Sequence, residues 1–370
     1  MKSAFRGERT GRKAARLLLL CAAATLAPAG AAVTGAEESG GQPREAPAAS
    51  PWMVLPVVSS DPKLGTSAGV LGGYLYTFDP QSRVSLFGVL LQYTSTHSMI
   101  GALFARTSSG ADHHRVAFMA AYGLVKNDYD DYLGTGQPLR TNDDVRGVVG
   151  RYLYRFHGDW FVGAQAVFAN YQIFGESSMD DAALDVLGIQ GFKGAGIGAV
   201  MMHDSRDNED MPSGGWLLNV NDIAYREWLG GDDAFDVYRL DYRAFWTHGN
   251  GHVFALRQNN HFSFDAPLAA GATVLLRGYK QYQYLGQHMS SLEAEERFRI
   301  AGRWGATVFV GAASLYGSGE AEFDTESLYP SYGAGFHYVL KPEERMLANL
   351  EYAHGNADNY GLYLNLGYSW

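Results

Sequence analysis

The sequence predicts an all-β chain, a transmembrane antiparallel β-barrel of about sixteen strands. Three observations lead there: an N-terminal export leader, period-two alternation that returns along the whole chain, and connections that alternate between short and long.

In the leader, Lys2, Arg6, Arg9, Arg12, Lys13 and Arg16 precede the apolar run "LLLLCAAATLAPAGAA", and Ala29-Gly30-Ala31 offers a small-residue cleavage site. Residues 1–31 therefore read as a secretory signal peptide, because Pro28 and Gly30 cut the run short of the roughly 20 residues a membrane anchor needs. Cys21 lies inside that run, behind Leu20 rather than the small residue a lipoprotein site wants. The mature chain is thus expected to have no disulfides and no thiolate metal site, and no cofactor is implied. The chain holds 29 basic and 39 acidic residues, and the leader accounts for 6 and 1, so 23 and 38 remain and the net charge is −15. That balance argues against a phosphate-binding surface, nucleic acid included. Residues 32–50, small and polar with Pro and Gly, read as a flexible periplasmic lead-in, and residues 51–370 as the barrel.

The strands are apolar on one side and polar on the other. In "VYRLDYRAFWTH" (237–248), Tyr238, Leu240, Tyr242, Ala244 and Trp246 share one face, while Arg239, Asp241 and Arg243 share the other. A soluble sandwich alternates too. Aromatic residues repeated on the apolar face, with Tyr and Trp near strand ends, better suit a wall between lipid and a wet lumen. Similar stretches recur at 83–95, 114–125, 145–156, 160–172 and 251–264, and about sixteen fit between Met53 and Trp370. Turns at Phe156-His157-Gly158-Asp159 and His248-Gly249-Asn250-Gly251 are tight and belong on the periplasmic side; 126–143 and 174–188 are longer, acidic, and belong outside. The "NDYDD" within the first of these lacks the spacing and glycine of a calcium loop and reads as a solvated face. The end of the chain alternates as well, with Leu362, Leu364, Leu366, Tyr368 and Trp370 on one side. It reads as a closing strand, hydrogen-bonded to the first and serving as a targeting element, with Trp370 in an interfacial aromatic girdle.

Three motifs then carry a resemblance. The stretch "TVLLRGYKQYQYLGQ" contains Leu276-Arg277-Gly278-Tyr279; "HDSRDNEDMPSGGWLLNV" contains Asp204, Arg206, Asp207, Pro212 and Gly214; and the chain finishes on an aromatic-ended hairpin, 348–370. Together they resemble the BamA/TamA superfamily of outer-membrane assembly proteins, the bacterial surface antigen family, over about 320 residues. The resemblance implies a sixteen-stranded barrel whose long loop between strands 11 and 12 folds into the lumen, its arginine docked on acidic residues of the twelfth and thirteenth strands. On "EAEERFRIAG" the alternation puts Glu293, Glu295, Arg297 and Arg299 on the lumen face, with Glu295 the expected partner of Arg277. The family's F-x-D-x-G reads Phe309-Val310-Gly311-Ala312-Ala313 here, with glycine in place of the aspartate.

The resemblance further implies an outer-membrane protein that takes part in protein or lipid assembly or translocation. It would meet outer-membrane lipids, the assembly machinery during biogenesis and, because 32–50 is too short for a POTRA domain, a separate periplasmic partner. A passive pore or structural barrel is the alternative. An outer-membrane lipid hydrolase built on His203 and Ser205 is a third reading; it lacks an evident orienting group and oxyanion hole. No metal site is expected, since no second histidine stands at ligand spacing from His203.

Overall fold

The computed structural model describes residues 50–61, 64–129, 138–187, 191–209, 211–267, 270–317, 328–341, 346–356, 359–368 and 370, so the leader and most of the lead-in lie outside the described residues. Alternation builds one antiparallel wall. Its strands are β1 (Trp52–Asp61), β2 (Gly65–Tyr76), β3 (Ser85–Thr94), β4 (Met99–Ser109), β5 (His114–Tyr129), β6 (Leu139–His157), β7 (Trp160–Gly175), β8 (Gly191–Asp204), β9 (Gly215–Tyr225), β10 (Phe235–His248) and β11 (His252–Phe264). After the two-residue strands β12 (Ala272–Thr273) and β13 (Leu285–Gly286) the wall resumes with β14 (His288–Ala301), β15 (Trp304–Tyr316), β16 (Leu328–Lys341), β17 (Met346–His354) and β18 (Tyr360–Leu366). Sixteen strands in sequence order form the wall, with β14 following β11 directly, and β12 pairs only with β13. The all-β, nearly closed barrel is the fold the alternation predicts.

Outward positions are apolar and open, as at Leu91, Leu103 and Val310. Of the chain's 7 tryptophans, Trp160, Trp216, Trp246 and Trp304 stand where strands meet the turns and Trp52 begins β1 at the same end; they pack tilted or edge-on against neighbours such as Tyr74, His203 and Tyr338. This aromatic belt marks the turn end of the barrel. Positive φ at Gly158, Gly249 and Gly251 lets two of those turns close tightly.

The loop end departs from the sequence reading in two ways. Strands β5 and β6 run on through Tyr129 and from Leu139, so part of the stretch read as a loop is wall; residues 130–137, including the rest of "NDYDD", lie outside the described residues. The stretch 174–188, read as a loop, also carries a helix, α1 (Ser178–Leu187), after β7. Its start is capped reciprocally: the Ser177 hydroxyl accepts the Asp180 N–H (3.2 Å), and the Asp180 carboxylate accepts the Ser177 N–H (3.1 Å). Leu184 on α1 is buried among Tyr171, Tyr225 and the loop residues Ala270 and Tyr282, which helps close the loop end.

The barrel is nearly closed, and the gap is at its seam. Among the described residues no ladder joins β18 to β1, although the two strands lie side by side. The expected β1–β18 pairing is therefore corrected. Pro56 has no N–H to give along β1, and Gly361 brings little side-chain packing to β18. Elsewhere the wall repairs its irregularities. The β8–β9 ladder skips Gly198 and Ala199, and Asp222 Oδ1 accepts the stranded Ala199 N–H at 2.6 Å.

Candidate functional site

The loop between β11 and β14 turns into the lumen and presents Arg277 to the inner faces of β14, β15 and β17. Thr273 Oγ1 accepts the Tyr282 N–H (2.9 Å), and the short β12–β13 ladder holds the loop's two arms together. At the tip, Gly278 adopts φ +99°, and a Cβ there would stand 3.1 Å from the Gly355 nitrogen. Its N–H donates to the Tyr363 hydroxyl (2.7 Å). Tyr279 donates to the Pro330 carbonyl (2.6 Å), accepts the Asn356 N–H (2.8 Å), and lays its ring where any side chain at Gly355 would sit. Ser331 donates to the Arg277 carbonyl at 2.6 Å. The Leu-Arg-Gly-Tyr tetrad is thus pinned to β16, β18 and the turn between β17 and β18, with Leu276 buried in one cluster with Met289 and Leu315. A Gly278→Ala chain is expected to keep its barrel and lose about 1–3 kcal/mol of loop docking through the strained φ and the crowded Cβ. Faster proteolysis within 270–287 at unchanged heat-modifiable migration checks this.

The Arg277 guanidinium lies 3.4 Å from the centre of the Phe309 ring and faces three carboxylates. Glu293 takes it bidentately, Nη2 at 2.8 Å and Nε at 3.2 Å. Glu351 accepts Nη1 at 3.1 Å. Glu295 stands 2.7 Å from Nη2, and its Oε2 makes no hydrogen bond, so that contact is one of charge rather than direction. Arg297 balances the cluster: it donates to Glu295 (2.5 Å), stacks on Tyr368 (3.7 Å) and donates to the Trp370 carbonyl (3.1 Å) and the Pro212 carbonyl (3.2 Å). All five charged side chains are almost fully buried, so each depends on the others for its partner.

Several expected residues take different places. Arg299 is exposed at the turn end of β14, where the ladder with β15 shifts between Arg299 and Ala301, and it does not join the cluster. Gly311 is not a vacancy in the lock. A Cβ there would meet the Leu292 carbonyl at 3.0 Å and the Glu293 side chain at 3.3 Å, so glycine leaves room for Glu293, and Glu351 brings a further carboxylate from β17. The chain end differs most. Leu362 and Leu364 do follow the strand, but Gly367 adopts φ +93° and turns the backbone inward. Trp370 leaves the expected girdle: its indole N–H donates to Glu293 inside the lumen. Glu351, Phe309 and Trp370 are the cluster members that the sequence reading did not assign to it.

The second motif sits at the turn end and pairs across it. Asp204 binds Arg206 (2.8 Å), and Asp207 accepts from Ser213 and Gly214, closing the turn that holds Pro212. From this turn Glu209 reaches Arg83 and Arg106 (2.8 Å), while Asp112 gathers Arg115 (2.6 Å) and Arg155 (2.5 Å). With the Pro212 carbonyl held by Arg297, the β8–β9 turn spans from β4 to β14. His203 stacks on Trp216 (3.7 Å), and the Ser205 hydroxyl is engaged with the Trp216 backbone, so these two do not form a nucleophilic pair. Among the described residues no cluster of metal ligands occurs.

With a sixteen-stranded wall, an inward arginine loop and an unladdered seam in place, comparison with solved structures places the architecture. BamA from Haemophilus ducreyi lacking POTRA domains 1–3 superposes with TM-score 0.59 at 11% identity, over 86% of this chain and 70% of that one. The chain has the barrel fold of BamA and CdiB. CdiB from Acinetobacter baumannii matches with TM-score 0.59 and CdiB from Escherichia coli with 0.54, each at 11% identity over 85% of this chain. This chain spans 59% and 62% of those two CdiB chains. No family model matches the sequence, and no curated protein matches it.

Proposed function

We propose that the chain is an integral outer-membrane barrel that works through its seam, in outer-membrane protein or lipid assembly or translocation, and not as an enzyme. The observation that carries this is the β1–β18 edge. Each strand edge within hydrocarbon must have its N–H and C=O groups satisfied, at a cost of several kcal/mol per group otherwise. Every other neighbouring pair in the wall is laddered, while among the described residues this pair lies adjacent without a ladder. Such an edge accepts a strand from another chain at little cost, or parts to admit a lipid. The aromatic belt supports a membrane interface at the turn end, with the long loops on the outer side. Its partners in this reading are outer-membrane lipids, the assembly machinery during biogenesis and a separate periplasmic protein.

Conduction through a passive pore is the competing outcome. The docked loop, α1 and the β8–β9 turn all occupy the lumen or its ends, which disfavours it. Reconstitution tests the choice. Proteoliposomes holding the chain should speed insertion of a client barrel or movement of lipid, and a disulfide between cysteines placed on β1 and β18 should abolish the effect until reduced. Steady conductance that the disulfide leaves unchanged, with no effect on client or lipid, would establish the pore instead.

A further inference from the structure

A polar belt crosses the inner wall from β6 to β11, between two apolar layers. Arg151 faces Gln165 across the β6–β7 ladder, and Gln165 reaches past Gly198 on β8 to Asn221. Asn221 faces Arg239, and Arg239 faces His261. Gly198 leaves that reach clear, since a Cβ there would collide with the Asp222 carbonyl oxygen. Two residues toward the loop end on the same strands lie Val149, Val167, Ile223 and Val237, buried in one cluster. Toward the turn end lie Leu153, Phe161 and Val200, buried in another.

Within this belt Arg151 is fixed in place but not neutralised. Its Nε and Nη2 both donate to Gln165 Oε1, at 3.1 and 2.6 Å. Gln165 is buried and is itself held, because its Nε2 donates to Asn221 Oδ1 and to the Asp222 carbonyl, each at 2.9 Å. Arg115, Arg155, Arg243, Arg257, Arg277 and Arg297 each hold a carboxylate. Among the described residues Arg151 holds none, and Arg239 brings a second positive charge to bear on it. Further along the belt His261 is 4% exposed, and its Nε2 has no hydrogen-bond partner. A guanidinium set between apolar layers and repelled by another costs free energy that an anion would offset.

We propose that Arg151 binds a small oxyanion inside the lumen, a carboxylate or a phosphate group, on the side facing Arg239. Nε and one Nη2 hydrogen are committed to Gln165, so Nη1 and the other Nη2 hydrogen remain as a parallel pair. That edge of a guanidinium takes two oxygens of one anion. Gln165 is the positioning residue, since its locked oxygen fixes the plane of the guanidinium. The net negative charge of the chain acts on anions at long range and is screened over about 10 Å in 0.1 M salt, whereas the guanidinium acts at contact. The site depends on neither the seam nor its opening.

Phosphate and acetate are the probes, added to the full chain in detergent micelles at an ionic strength held constant with chloride. The thermal midpoint followed by tryptophan fluorescence should rise by a few degrees and saturate, as binding to the folded state alone requires. Phosphate also stabilises proteins by exclusion from their surface, without saturating, so Arg151→Gln is the control. It deletes no ion pair, so its midpoint in chloride should equal or exceed the parent's while the saturable rise is lost. Gln165→Glu, which sets a carboxylate beside Arg151, should lose the rise as well. A saturable rise with phosphate alone makes the ligand a phosphate, with acetate alone a carboxylate, and with both an oxyanion of either kind. Absence of a saturable rise with either probe overturns the proposal, as does a rise of equal size in Arg151→Gln.

Discussion

Arg277→Ala should free the loop from the lumen while leaving the barrel wall intact. The substitution removes the cation that Glu293, Glu295 and Glu351 share, leaving three buried carboxylates with Arg297 as their remaining cation in the cluster. Breaking a buried pair by deleting one partner costs about 3–5 kcal/mol, and here the orphaned groups are several. The wall does not share the loss, since its ladders are independent of the loop. The expected result is rapid cleavage within 270–287, raised conductance in planar bilayers and unchanged heat-modifiable migration. Adding Glu293→Gln and Glu351→Gln to Arg277→Ala should recover part of the protection, because neutral amides no longer repel. Loop protection equal to the parent in Arg277→Ala would show that the hydrophobic packing of Leu276 and Tyr279 holds the loop unaided.

Arg297→Leu should have an effect of the same order, at a different place. Arg297 ties together Glu295, the Pro212 carbonyl of the β8–β9 turn, the Trp370 carbonyl and the Tyr368 ring. Its loss leaves Glu295 with Arg277 alone and unfastens both the turn and the inward chain end, again about 3–5 kcal/mol. Arg297→Lys should rescue little, because one ammonium cannot reproduce donation in three directions together with a stacked plane. Increased exchange of backbone amides at 205–214 and 367–370, with the loop tip at 277–279 less affected, is the signature to measure. If Arg297→Lys protects those segments as well as arginine does, the arrangement needs only a positive charge.

How much of this could be read beforehand differs from element to element. Alternation over β10 and β11 placed Arg239, Asp241 and Arg243 inward correctly, because a one-residue slip would have exposed every apolar side chain on the wrong face. Arg277 was legible as a cation facing inner-face acids, because charged residues there need partners. Its expected partner was Glu295, whereas the bidentate hydrogen bonds go to Glu293 and Glu295 is only a charge contact. Glu351 carried the same signal on β17 and passed unassigned, since nothing local says which inner-face acid meets a loop from 74 residues away. The chain end misled for the opposite reason. Leu362, Leu364 and Leu366 alternate and the pattern runs on through Tyr368 and Trp370, yet Gly367, which alone in that run can take φ +93° cheaply, breaks it. The closed seam was an inference from barrels in general, and Pro56 and Gly361 were the local signs against it. Helix α1 was hidden because its ten residues are too few for a period of 3.6 to stand out, although Ser177 three residues before Asp180 marks its start.

The central claim is that the wall is open between β1 and β18. Paired spin labels at Val54→Cys and Leu362→Cys, both outward-facing, in a Cys21-free chain reconstituted into bilayers measure that gap directly. An open seam predicts a broad distance distribution that narrows when β1 and β18 are crosslinked at a second site, while a control pair across the laddered β3–β4 boundary, Leu91→Cys and Leu103→Cys, stays narrow throughout. A β1–β18 distribution as narrow as the control before crosslinking would contradict the account.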